Sequence, residues 1–174
     1  MKILITGNNG YIGPVLFKGI KKKFPLSTVL GFDNNYFRKK NYSDVQYNGD
    51  IRSFPEIIFK NNIDTIIHLA SISNDPMGNE FEKPTRQINI EASKRLIDLS
   101  KKHGCKVFIF ASSCSVYGKY GNKSRDEECK TSPLTEYARS KIAIENYLKK
   151  KTSTKFKSIS LRFATACGAS PNLR

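Results

Sequence analysis

The stretch Lys2-Ile3-Leu4-Ile5-Thr6-Gly7-Asn8-Asn9-Gly10-Tyr11-Ile12-Gly13 constrains the fold more than any other part of this chain. A short apolar run without polar alternation suits a strand buried on both faces, the kind found in parallel sheets covered by helices. The run ends in glycine. Apolar residues then recur on one helical face at Ile12, Val15, Leu16, Gly19 and Ile20. Pro14 fits the first turn of that helix, where its missing N–H costs little. A buried strand feeding a helix through a glycine turn is half of a βαβ unit, and the chain repeats the alternation. Further strands are predicted at Thr28–Asp33, Val45–Tyr47, Asp64–Leu69, Cys105–Ala111 and Lys157–Phe163. Helices are predicted at 12–23, 55–61, 85–103 and 135–150. Six strands separated mainly by helices define an α/β fold, a doubly wound parallel sheet of Rossmann type in three αβα layers. Ligands of such sheets lie beyond the carboxyl ends of the strands, where the strand order reverses.

Composition narrows the function classes. The chain has 174 residues, 39% of them apolar, which suffices for one core and excludes whole-chain disorder. No run approaches the roughly 18 apolar residues that span a bilayer. The amino end is too short in apolar residues for a signal peptide, so the expectation is a cytoplasmic protein with no membrane partner. Thirty Lys+Arg against 15 Asp+Glu give a formal charge of +15. The basic runs Lys21–Lys23, Lys101-Lys102 and Lys149–Lys151 fall where helices should end, which favours the helix dipole. A further basic run is Arg38-Lys39-Lys40. Scattered in this way, the charge points to an anionic small molecule or to a mere compositional bias to Lys rather than to nucleic acid. The four cysteines, Cys105, Cys114, Cys129 and Cys167, lack metal-knuckle spacing, and His68 and His103 are far apart, so no metal is expected.

Two constellations carry chemistry. In the glycine triplet, Gly7 permits the tight turn, Gly10 lets backbone amides approach a pyrophosphate, and Gly13 allows close helix–strand packing. Asp33 follows Gly13 by twenty residues, at the end of the second strand. A carboxylate there accepts bonds from ribose hydroxyls and repels a 2′-phosphate, which favours NAD over NADP. Arg38 and Lys39 would weaken that preference. The second constellation is Tyr137-Ala138-Arg139-Ser140-Lys141, whose phenol and ammonium share a helix face. The ammonium would favour the phenolate and move Tyr137 toward use as a base. A serine hydroxyl in Ser112-Ser113-Cys114-Ser115-Val116-Tyr117-Gly118, past the fifth strand, could bond the same substrate oxygen. Cys114 reads as a plain thiol rather than a nucleophile, and His68 as a packed imidazole rather than a catalyst.

In this order the motifs resemble the extended short-chain dehydrogenase/reductase family, in its nucleotide-sugar epimerase/dehydratase branch. The resemblance covers nearly the whole chain. It implies a cofactor, NAD, held by Gly7, Gly10, Tyr11, Ile12 and Gly13 and by Asp33 and Asn34. Asp50 and Ile51 of Gly49-Asp50-Ile51-Arg52 match the adenine-contacting segment. Leu69, Ala70 and Ser71 match the fourth-strand end that lines the cofactor. Asn89 matches a helix asparagine at the active site, and Phe163 and Thr165 match the sixth-strand segment where cofactor and sugar nucleotide meet. The implied catalytic residues are Ser113, Tyr137 and Lys141, with Ser113 and Thr165 also touching substrate and Tyr137 and Lys141 also touching cofactor.

The resemblance implies a 4-epimerase acting by transient hydride transfer to NAD. A reductase of the same family, or a noncatalytic NAD-binding module, are the alternatives. Dehydratases of the branch carry Asp-Glu after the catalytic Thr, whereas Cys114-Ser115 stands here, which disfavours dehydration. Family members continue for about another hundred residues or more. Residues 1–174 are therefore expected to form the NAD(P)-binding domain, with the substrate domain essentially absent, as a truncated form or one completed by a partner. Pairing through the helices at 85–103 and 135–150 would make a homodimer.

Overall fold

The computed structural model describes residues 1–37, 40–119 and 124–172. Arg38 and Lys39, on which the NADP allowance rests, lie outside the described residues. Six strands, β1 (Lys2–Thr6), β2 (Thr28–Asp33), β3 (Val45–Asn48), β4 (Thr65–His68), β5 (Val107–Ser113) and β6 (Lys157–Phe163), form one sheet in the order β3-β2-β1-β4-β5-β6. All neighbours pair in parallel. The order reverses between β1 and β4. That creates a crevice at their carboxyl ends, as expected of a doubly wound sheet.

Alternation along the strands divides the core between two faces. Leu4, Leu30, Ile66, Phe108 and Phe110 face a large cluster with Leu96 and Ile97 of α4 (Ser93–Lys102) and Ile144 and Leu148 of α5 (Glu136–Lys151). Ile3, Ile5 and Val29 face the opposite way, against Ile20 of α1 (Gly13–Lys23). The second layer is thin. On β6, Ile159, Leu161 and Phe163 are 46%, 40% and 39% exposed, so helices cover this face only over the middle of the sheet.

Several elements depart from expectation. The helix expected at 85–103 begins earlier, with α3 (Glu82–Thr85), and reaches α4 through a π-helical stretch, Arg86–Ala92. An unexpected short helix, α2 (Asp75–Glu80), precedes it, capped by the Asn74 side chain accepting from the Met77 N–H. The short helix expected at 55–61 is present as Glu56–Asn61, wound as 3₁₀. β5 starts two residues later than expected and runs to Ser113, because β6 pairs with it as far as Ser113↔Phe163.

Candidate active site

The glycine loop is built by close packing. A Cβ on Gly7, whose φ is +75°, would lie 2.7 Å from the Ala70 nitrogen, and one on Gly13 would lie 2.1 Å from the Asn8 carbonyl oxygen. Gly10 differs: an added Cβ would meet only the Gly7 carbonyl oxygen, at 3.2 Å. Gly7 and Gly13 thus bind the loop to β4 and α1, and Gly10 leaves room for a ligand against the backbone. The buried side chains of Asn8 and Asn9, which carry no signal in the sequence, staple the loop to the segment before β3. Asn8 Nδ2 donates to Tyr42 O and Gln46 Oε1, and Asn9 Oδ1 accepts from the Tyr42 N–H. Their partners lie more than thirty residues away, beyond any local pattern.

Asp33, at the end of β2, accepts the Asn9 N–H at 3.0 Å on one oxygen and the Asn35 N–H at 2.7 Å on the other. A carboxylate offers about four lone-pair sites. Two remain for hydroxyl donors, and the same residue fixes the glycine loop. Asn34 beside it is exposed, its side chain accepting the Tyr36 N–H. Asp50 caps the turn Ile51–Ser53 and is paired with Arg52, whose hydrogen bonds hold its carboxyl below the usual range. Ile51 is buried in the large core cluster.

Across the crevice, Leu69, Ala70 and Ser71 follow β4 and are partly buried. Asn89 is buried at 2% exposure, and its amide is taken up by Ile72 on both backbone groups and by Ser140 Oγ. It ties the loop after β4 to α5. His68 is also fully engaged, with Thr6 Oγ1 at 2.6 Å and Ser93 Oγ at 2.8 Å, and burial pulls its pKa down to about 3. It is a neutral packed imidazole.

Ser113 ends β5, and Tyr137 and Lys141 lie on α5, which packs against β5 and the turn that follows it. Ser113 Oγ accepts the Ser115 N–H at 3.2 Å. Tyr137 lies in the first turn of α5, whose cap is Thr135 accepting the Ala138 N–H. Lys141 follows one turn later. Its Nζ lies 5.3 Å from the centroid of the Tyr137 ring and donates to the Ala111 carbonyl at 2.8 Å and to Ser71 Oγ at 3.5 Å. Both acceptors are neutral. Lys141 is 3% exposed, and burial pulls its pKa down to about 7, against a smaller opposing pull from Glu145. Glu145 is itself bound to Arg162 and Ser112. A buried cation resting on neutral acceptors suits a site that receives further oxygens from a ligand.

Phe163 and Thr165 lie at the exposed end of β6. The segment after them crosses back over the glycine loop. Tyr11 Oη donates to Gly168 O, Ser170 Oγ donates to Tyr11 O, and Asn172 Nδ2 donates to Asn9 O. The Tyr11 side chain therefore holds chain to chain, a role that only long-range topology reveals. Cys114 is exposed beside Ser113, and Cys105 is buried with its thiol pushed up to about 12.

A parallel sheet with a glycine loop, a carboxylate ending β2, a serine ending β5, and Tyr and Lys one turn apart on α5 define a short-chain dehydrogenase-like fold. Residues 3–174 match the NAD dependent epimerase/dehydratase family, and the chain belongs to it. It is 31% identical to the UDP-glucose 4-epimerase of Halalkalibacterium halodurans, covering 100% of this chain and 53% of that protein. It is 29% identical to dTDP-4-dehydro-6-deoxyglucose reductase of Escherichia coli, over 95% of this chain and 56% of the relative. Among solved structures, UDP-glucose 4-epimerase of Thermus thermophilus in complex with NAD superposes with a TM-score of 0.83 at 25% identity, covering 93% of this chain and 54% of the other. The chain spans about half the length of the curated relatives it matches.

Proposed function

We propose that residues 1–174 are the NAD-binding half of a nucleotide-sugar 4-epimerase. The observation that carries this reading is Lys141, buried beneath the crevice on neutral acceptors and one helical turn from Tyr137. The donor and acceptor set fits a dinucleotide. Gly10 leaves room against the backbone for a pyrophosphate, Asp33 keeps acceptors for ribose hydroxyls, and the Lys141 ammonium has one donor to spare for the second ribose. When bound, NAD supplies a reversible hydride acceptor. Tyr137, as phenolate, takes the proton from the sugar hydroxyl, and Lys141 stabilises that anion. Ser113 Oγ already accepts from Ser115, so its own O–H is left to donate to the reacting oxygen. Cys114-Ser115 offers no carboxylate pair for water loss, so the residues in place would serve epimerisation rather than dehydration.

Calorimetry against NAD and NADP, followed by nicotinamide reduction with UDP-glucose, tests the reading. NAD should bind in preference to NADP, and Tyr137→Phe should abolish reduction without weakening cofactor binding more than a few-fold. Failure of a folded sample to bind either dinucleotide would sink it. Similarity to the dTDP-sugar reductase favours a second reading, net reduction of a keto-sugar, with the same residues. Stoichiometric loss of NADH or NADPH on adding a 4-keto sugar nucleotide would select it.

A further inference from the structure

Ser113 and Tyr137 stand on different elements: Ser113 Oγ accepts the Ser115 N–H after β5, and Thr135 caps α5 two residues before Tyr137. One carboxylate joins those two contacts. Asp75, first residue of α2, accepts Ser115 Oγ at 2.9 Å on one oxygen and Thr135 Oγ1 on the other. Ser115 is the residue whose N–H fixes Ser113 Oγ. Thr135 is the cap of α5, two residues before Tyr137. The contact is reinforced by packing. Gly78 of α2 is buried so closely against α5 that an added Cβ would sit 2.7 Å from Tyr137 Cβ and 2.9 Å from the Tyr137 nitrogen.

We propose that Asp75 is a positioning residue: it locks the serine turn after β5 to the tyrosine helix α5, so that Ser113 and Tyr137 address one substrate oxygen. The inference rests on the epimerase reading for its functional meaning, though the brace itself does not. The Asp75 carboxylate acts through Ser115 and Thr135. With both hydroxyls donating to Asp75, each serves as a fixed acceptor or anchor. Ser115 cannot turn its hydroxyl toward Ser113, and Thr135 Oγ1 keeps its lone pair aimed at the Ala138 N–H. Without the carboxylate, both hydroxyls are free to rotate and the two active-site side chains lose a common reference.

The test uses the 174-residue chain with Asp75→Ala and Asp75→Asn, and reads three quantities. Amide exchange by NMR should show the Ser115 and Ala138 N–H groups exchanging about tenfold faster in Asp75→Ala, with core amides such as Leu30 and Ile97 unchanged. Asp75→Asn keeps an acceptor and should restore protection at one of the two. NAD affinity by calorimetry should stay within about threefold of the parent. The rate of nicotinamide reduction by UDP-glucose at saturating sugar should fall at least about tenfold in Asp75→Ala, with KM changed less. Protection at both amides within about twofold of the parent would overturn the brace, as would an equal acceleration at every core amide. A folded parent chain that binds neither NAD nor NADP would refute the epimerase reading while exchange still decides the brace. Reduction that is lost in Tyr137→Phe but intact in Asp75→Ala would refute the positioning role alone.

Discussion

Replacing Lys141 with methionine should make the folded chain more stable at low pH and less stable at high pH. Lys141 is buried at 3% exposure, and its pKa falls from 10.5 to about 7. The sign follows from linkage. Between the folded and unfolded values the unfolded chain binds more protons, so Lys141 costs the fold most below pH 7. That cost is relieved as pH rises toward 10.5. At about 1.4 kcal/mol per pH unit, the penalty at pH 6 is on the order of 4 kcal/mol and nearly gone at pH 10. Methionine also forfeits the bonds to Ala111 O and Ser71 Oγ, a loss of about 1–2 kcal/mol. The variant should therefore gain about 2 kcal/mol at pH 6 and lose about 1 kcal/mol at pH 10. Urea melts followed by circular dichroism at pH 6, 8 and 10 measure the difference, in which every other titrating group cancels. A difference that does not change with pH, or one that favours methionine more at pH 10 than at pH 6, would refute the reasoning. Nicotinamide reduction should be lost in the variant at every pH.

The remaining expectations are simpler. Gly78→Ala forces α2 away from Tyr137 and should cost about 1–3 kcal/mol in a urea melt, as overpacking against backbone does. Glu136 is 4% exposed between Arg86 and Arg139. Burial raises its pKa, but the hydrogen bonds to the two arginines win and hold it below the usual range. Its stabilisation is present above the ordinary carboxylate pKa and lost as pH falls through the lowered one. Glu136→Gln should cost about 1–2 kcal/mol at pH 7, both arginines being half exposed, and almost nothing at pH 3 in the same melts. Asp33→Ser removes the charge facing a 2′-phosphate and should narrow the NAD-to-NADP affinity ratio at least about tenfold by calorimetry. An unchanged ratio would place the discrimination elsewhere.

Local periodicity and spacing make the strand–glycine–helix junction, Asp33 and the Tyr137–Lys141 pair legible. Each depends on residues no more than about a helical turn apart, or on strand ends that a parallel sheet must gather. What stays hidden depends on partners distant in sequence. Asp75 is 40 residues from Ser115 and 60 from Thr135, and no local pattern links them. The π-helical stretch Arg86–Ala92 reads as ordinary helix because apolar period alone does not report it. The feature there is Asn89, which binds Ile72 and Ser140 from inside that stretch. The short helix at Glu56–Asn61 is legible, and Asn62 turns left-handed to end it, but its 3₁₀ winding is not reported by apolar period.

The charge of +15 gains a location from the topology. Lys21–Lys23 close α1, Lys101 and Lys102 close α4, and Lys149–Lys151 close α5. In a parallel sheet every crossover helix runs against its strands, so all three basic ends gather at the amino ends of the strands, the pole opposite the crevice. A strand of five to seven residues separates the two poles by about 17–23 Å at 3.3 Å per residue. That exceeds the screening length of about 8 Å in physiological salt. The lysine runs therefore contribute little to the potential in which a dinucleotide would bind. The cation that bears on that site is Lys141, buried against the Ala111 carbonyl, Ser71 Oγ and the rings of Phe110 and Tyr137.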